Sequence, residues 1–126
     1  MRLALAIAII KFSQKKTFFC CIIPKTVFLL NFLKELQIYG FIYGYRPYKE
    51  KIKVFLKYGN SGKGALLSIK LRSRPGKRLF YPIYKIRRLL TLFSYLIISS
   101  KTGLKLLSNN ILNKDTRGGE VLCTIK

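Results

Sequence analysis

The stretch PKTVFLLNFLKELQIYGFIYGYRPYKEKIKVFLKYG, Pro24–Gly59, carries a helix, its stop signal and two strands in a row. Pro24 precedes the start, Thr26 is a good N-cap because its hydroxyl can accept an orphan backbone N–H, and Gly40 supplies the C′ position. Between them Phe28, Phe32 and Leu36 recur every four residues, Leu29 and Leu33 widen the stripe, and Asn31, Lys34 and Glu35 fall elsewhere. After Gly40 the apolar period shortens to two, the side-chain period of a strand. Phe41–Tyr45 reads as one strand, Arg46–Glu50 as a turn and Lys51–Tyr58 as a second strand. The second strand alternates, with Ile52, Val54, Leu56 and Tyr58 on one face and Lys51, Lys53, Phe55 and Lys57 on the other. The first face is core; the second meets either phosphate or water. This is an amphipathic helix packed on a sheet.

Upstream, Arg2 to about Gln14 is apolar on most sides and predicts a helix covered by the fold or by a partner. Lys16–Ile23 is β-branched and aromatic, hence a strand. Downstream, GNSGKGA (Gly59–Ala65) has the look of a phosphate loop and fails its test. Lys57 stands where the first glycine belongs, and no Ser or Thr follows Lys63. The segment reads as a flexible connection between residues 1–60, an α/β lobe ordered helix-strand-helix-strand-strand, and residues 61–126, a mainly β lobe. The fold class expected is α+β.

In the second lobe Ala65–Ser73 reads as a strand. Arg74–Arg78 forms a turn with Pro75-Gly76 at its tip, and Arg78–Pro82 pairs back across it. Tyr84–Leu92 suggests a short helix exposing Lys85, Arg87 and Arg88. Ser94–Ser100 is a strand entering a Ser/Thr/Lys/Gly turn, Ser108–Asn113 a helical turn, and Glu120–Lys126 a closing strand. Arg72, Arg74, Lys77 and Arg78 crowd the Pro-Gly turn with no acid nearby, which points either to nucleic acid or to a solvated turn.

Charge narrows the partner. Among 126 residues, 25 are Lys or Arg and 4 are Asp or Glu, a net charge of +21. A fold cannot neutralise that internally, so a polyanion is expected, either nucleic acid or an anionic membrane surface. There is no histidine, which removes His-based catalysis and His metal sites. The carboxylates Glu35, Glu50, Asp115 and Glu120 are too few to hold Mg²⁺ and also do acid–base work. Cys20, Cys21 and Cys123 form neither a zinc framework nor a disulfide scaffold and read as small buried hydrophobes. No enzyme, no metal, no cofactor and no small-molecule substrate are expected.

The longest uncharged run, Leu89–Ser100, has 12 residues, short of the roughly 20 that a spanning helix needs. The opening run Leu3–Ile10 leads into Lys11–Lys16 without a small-residue cleavage site. No stable membrane insertion is expected, although a basic peripheral or small integral membrane protein stays as the alternative reading. The bias toward Ile, Phe, Lys, Tyr, Asn and Leu, without Trp, is what an AT-rich genome produces and suits a protein encoded inside an organelle.

Three landmarks carry a resemblance. They are Ile97-Ile98-Ser99-Ser100-Lys101-Thr102-Gly103, the terminal Gly118-Gly119-Glu120-Val121-Leu122-Cys123, and upstream Ser73-Arg74-Pro75-Gly76-Lys77-Arg78. In their order along the chain they resemble the small-subunit ribosomal protein eight family, and Ile23–Ile42 agrees with that family's second helix, glycine stop and following strand. Ser99-Ser100-Lys101 departs from its usual Ser-Thr-Ser, Gly103 to Gly118 is slightly long, and an Asp-Pro near the N-terminus is missing. These departures fit a diverged, mitochondrial member. The resemblance implies an N-terminal α/β lobe and a mainly β C-terminal lobe. It also implies binding to the central domain of small-subunit rRNA beside neighbouring small-subunit proteins; the composition and the departures place that subunit in the mitochondrial matrix.

On that reading Ser99, Ser100 and Thr102 contact sugars or base edges, and Gly103 lets the backbone approach. Lys101, Arg72, Arg74, Lys77 and Arg78 hold phosphates, and Lys57 is a further RNA-binding candidate. Gly118 and Gly119 supply the positive φ or bulge that enters a strand, and Glu120 orients the neighbouring loop as a structural carboxylate.

Overall fold

The computed structural model describes residues 3–59, 62–66, 68–73, 77–100, 103–108 and 118–125. Its backbone contacts divide the chain into two compact units, Met1–Leu67 and Ser68–Lys126.

The first unit runs α1 (Leu3–Lys15), β1 (Cys20–Pro24), α2 (Val27–Ile38), β2 (Ile42–Tyr48) and β3 (Lys51–Leu56). The strands form an antiparallel sheet in the order β1-β3-β2. Local signals act as their chemistry demands. The Leu29 N–H donates to Thr26 Oγ1 at 3.1 Å, and Gly40 takes a φ of +81° while the Phe41 N–H closes the helix onto the Leu36 carbonyl. Leu29, Phe32, Leu33 and Leu36 of α2 are buried, as are Leu3, Ala6, Ile7 and Ile10 of α1 and Ile52, Val54 and Leu56 of β3.

Two expectations change here. Arg46, Pro47 and Tyr48 belong to β2, paired with Lys53, Ile52 and Lys51, so only Lys49 and Glu50 remain as the loop. An edge strand tolerates Pro47 where a central one would not, and Lys49 makes the reversal with a φ of +53°. The Gly59–Ala65 connection is, in its described part, a hydrogen-bonded turn folded back onto the first unit. Gly59 N–H donates to Lys63 O, Ala65 N–H to Lys57 O, and Leu66 N–H to the buried Gln14 Oε1 at 3.0 Å. Those bonds lie within the first unit, which runs to Leu67, whereas the glycine-rich connection suggested a division at 60/61.

The second unit contains β4 (Lys70–Leu71), β5 (Phe80–Tyr81), α3 (Ile83–Leu92), β6 (Tyr95–Ser100), β7 (Gly103–Leu107) and β8 (Gly119–Ile125). β8 pairs with β6 on one edge and with both β4 and β5 on the other; β7 completes the sheet beyond β6. Ile86 and Leu90 of α3 are buried with Leu96, Ile98, Leu107 and Val121 on one face of this sheet.

β4 and β5 do not pair with each other as a Pro-Gly hairpin would require. Both run antiparallel to β8, Lys70 and Leu71 opposite Thr124 and Cys123, Phe80 and Tyr81 opposite Glu120 and Gly119. They lie on the same edge of β8, β5 opposite its start and β4 opposite its end. The buried Ser73 ties them together, donating its hydroxyl to Val121 O at 2.7 Å and accepting the Leu79 N–H at 3.0 Å. β8 bulges at the same level, since Ile97 faces Cys123 while Ile98 faces Val121. The strand expected over Ala65–Ser73 contracts to Lys70–Leu71, because the amides of Ala65 and Leu66 are taken inside the first unit. The tip Pro75-Gly76 and most of the helical turn expected at Ser108–Asn113 lie outside the described residues.

Candidate nucleic-acid interface

β6 delivers Ser99 and Ser100 to the end of the second sheet, where Ser100 pairs with Gly103 across the β6–β7 turn. Gly103 has a φ of +109°, a conformation open to glycine, and its carbonyl accepts the Ser100 hydroxyl at 3.4 Å. The turn residues Lys101 and Thr102 lie outside the described residues, as does Arg74.

On the other side of Ser99 stands Glu120, its partner in β8, and beyond Glu120 stands Phe80 in β5. Paired residues in antiparallel strands share a face. Phe80, Glu120, Ser99 and Leu104 therefore form one row across four strands, ending at the turn. Phe80 is 66% exposed and the other three are half-buried, so the row opens to solvent. It offers a ring face, a carboxylate and a hydroxyl side by side.

Gly118 and Gly119 hold this corner together by being small. The expectation was a positive φ or a bulge; neither glycine has a positive φ, and the bulge of β8 lies further on, at Leu122. A Cβ at Gly118 would press on Tyr81 O and come within 2.7 Å of Pro82 Cα and 2.9 Å of Ile83 N. A Cβ at Gly119 would press on Ser99 O and reach 3.2 Å from Ser100 Cα. Backbone therefore lies on backbone at both positions, and no side chain fits between.

The cations divide into two groups. Lys77 and Arg78 are exposed between Ser73 and β5. Arg72 is half-buried and already engaged: its guanidinium lies over the Phe93 ring at 5.0 Å and donates through Nε to Thr124 Oγ1 at 3.0 Å. It braces the sheet at the far end of β8 from Glu120. Lys57 belongs to the first unit, half-buried, with its ammonium 5.8 Å from the Tyr43 ring centre.

Sequence reasoning missed Phe80 and the clamp made by Ser73. Phe80 read as an ordinary strand residue; only its register opposite Glu120 and its exposure single it out. Ser73 was noticed as part of a motif, but its buried double hydrogen bond is invisible without β8.

The family model for ribosomal protein S8 matches residues 2–125. The chain belongs to the ribosomal protein S8 family. Members of this family are structural ribosomal proteins and not enzymes. Among curated relatives, the small ribosomal subunit protein uS8 of Granulibacter bethesdensis is 31% identical over 121 residues, covering 92% of this chain and 89% of that protein. The uS8 of Campylobacter fetus is 36% identical over 77 residues, 61% of this chain and 57% of that one. The uS8c of Lotus japonicus is 34% identical over 110 residues, 82% and 81% of the two chains.

Proposed function

We propose that this S8 chain is a structural constituent of the small subunit of a mitochondrial ribosome, where its second unit binds the central domain of the small-subunit rRNA. The observation that carries the reading is the corner where Ser99 and Ser100 lie against Gly119 and Glu120, flanked by Phe80 and by the exposed Lys77 and Arg78. A-form RNA hides its major groove, so a protein reads 2′-hydroxyls, base edges and phosphates from the minor-groove side or at irregular, unstacked sites. Serine hydroxyls both donate to and accept from a 2′-OH. The carboxylate of Glu120 accepts an exocyclic amine or a 2′-OH, and the Phe80 ring stacks on an unpaired base. Lys77 and Arg78 hold phosphates, as Lys101 and Arg74 are proposed to do from the same two loops. Arg72 supports the sheet from within.

The mitochondrial assignment rests on composition: a Trp-free chain rich in Ile, Phe, Lys, Tyr, Asn and Leu suits an organelle-encoded gene. A membrane role has no comparable support, since no helix among the described residues is long and apolar enough to cross a bilayer.

Sedimentation tests the reading. The native protein should co-migrate with the small subunit from purified mitochondria at moderate salt and leave that fraction after ribonuclease treatment. Migration with plastid small subunits would move the compartment; a light, ribonuclease-indifferent detergent fraction would overturn the ribosomal role. The triple change Ser99→Ala, Ser100→Ala and Lys101→Ala should weaken rRNA binding without unfolding the chain.

A further inference from the structure

The outer face of the first sheet is unlike an ordinary solvated face. With Ile52, Val54 and Leu56 turned inward, the register places three rows outward: Cys20–Phe55–Gly44, Ile22–Lys53–Arg46 and Pro24–Lys51–Tyr48. Ile22, Lys51, Lys53, Arg46 and Tyr48 are all exposed. Lys53 and Arg46 stand directly opposite each other, an unfavourable like-charge pair, and Lys51 lies in the adjoining row. No acid occupies any of the paired positions; Glu50 sits in the turn beyond the last row. The aromatic content is equally marked. Phe19, 68% exposed, meets Phe55 edge to face at 6.0 Å, and Tyr48 is 67% exposed.

We infer that this face is a second RNA contact, made to a single-stranded segment rather than a duplex. Successive outward residues of β3 repeat every two positions, about 6.8 Å, the scale of one nucleotide step along an extended strand. A backbone running along β3 brings phosphates to Lys51, Lys53 and Arg46, relieving their mutual repulsion. Bases then stack on Phe19, Phe55 and Tyr48, where Lys53 and Lys49 now hold their ammonium groups 5.6 and 5.5 Å from the Phe55 and Tyr48 ring centres, as on other sequence-tolerant single-strand platforms. An acidic peptide satisfies the cations but leaves the rings with nothing to stack on. The contact is independent of the corner in the second unit.

The test uses the full chain and a fluorescein-labelled twelve-nucleotide oligouridylate, with oligoglutamate and a short RNA duplex as competitors. Arg46→Gln, Lys51→Gln and Lys53→Gln together should flatten the plot of log affinity against log salt by about 2, from roughly 0.7 per phosphate on a single strand. Phe19→Ser with Tyr48→Ser should cost about tenfold in affinity or more and leave that slope unchanged. All five side chains are exposed, so circular dichroism and Tm should match the parent and separate a binding loss from unfolding. Tyr84→Ser, at an exposed ring outside this face, should leave oligouridylate binding intact. Unchanged affinity in both sheet variants overturns the inference, as does competition by oligoglutamate or duplex equal to that of unlabelled oligouridylate.

Discussion

Gly119 lies flat on the backbone of Ser99, so close that a Cβ at Gly119 would press on the Ser99 carbonyl and reach 3.1 Å from its carbon. The approach of the end of β6 to β8 thus depends on a missing methyl group on the neighbouring strand. Gly119→Ala should push Ser99 and Ser100 outward and cost about 1–3 kcal/mol, the usual range for overpacking. Its rRNA affinity should fall at least as far as that of Ser99→Ala. Equilibrium denaturation and a binding titration check the pair of effects; full stability with normal binding would show that the corner yields freely.

Ser73 joins two strands that never pair with each other. Ser73→Ala leaves the Val121 carbonyl and the Leu79 amide without that partner in a buried site, a loss of about 1–3 kcal/mol. The urea midpoint should drop accordingly. Hydrogen exchange should rise first at Leu79 and Phe80, where β5 begins.

The two kinds of cation should separate cleanly. Lys77→Gln with Arg78→Gln should leave Tm unchanged and reduce the salt dependence of rRNA binding by about 1.8, from roughly 0.9 per duplex phosphate. Arg72→Lys removes the planar stack on Phe93 and the Nε bond to Thr124, which an ammonium cannot reproduce in that geometry. It should lower stability by about 1 kcal/mol with the salt slope intact. The same slope from both variants would merge the two groups.

Burial lifts the Cys21 thiol from 9.0 to about 11; a hydrogen bond from Ser13 opposes the shift and the neighbouring Cys20 thiol adds to it. The folded state therefore keeps a proton that the unfolded state gives up as pH rises past 9. The stability this group contributes is fully present below pH 9 and is lost as pH climbs toward 11. Cys21→Ala should show a shallower fall in urea midpoint over that window than the parent. The half-exposed Cys20 should react with a thiol reagent ahead of Cys21 in the native protein.

What could be read in advance follows the distance over which a signal acts. Thr26 and Gly40 were legible because a cap and a C′ glycine act within one turn of their own helix. The inward face of β3 was legible from alternation alone. Ser99, Ser100, Gly103 and the Gly118–Glu120 run were singled out by the resemblance, and nothing local says that they lie together. The β4–β5 segment was misread because Pro75-Gly76 has the chemistry of a hairpin turn, whereas its pairing is decided by β8, some fifty residues further along. Gly118 and Gly119 were assigned the wrong reason for the same cause. A glycine needed for space looks no different in sequence from one needed for φ, until the backbone lying against it is known.

The double pairing of β8 also sets an order of events during synthesis. The strands of the first unit all lie within Cys20–Leu56, so that sheet has its full complement early. β4 and β5 instead await β8, and β6 has β7 on one edge while its other edge awaits β8. At about 5–20 residues per second, the segments of the second sheet spend several seconds outside the tunnel before their shared partner arrives. For that interval the nascent chain presents unpaired strand edges and a dense positive charge while still attached to a ribosome, whose RNA is the nearest polyanion to hold them.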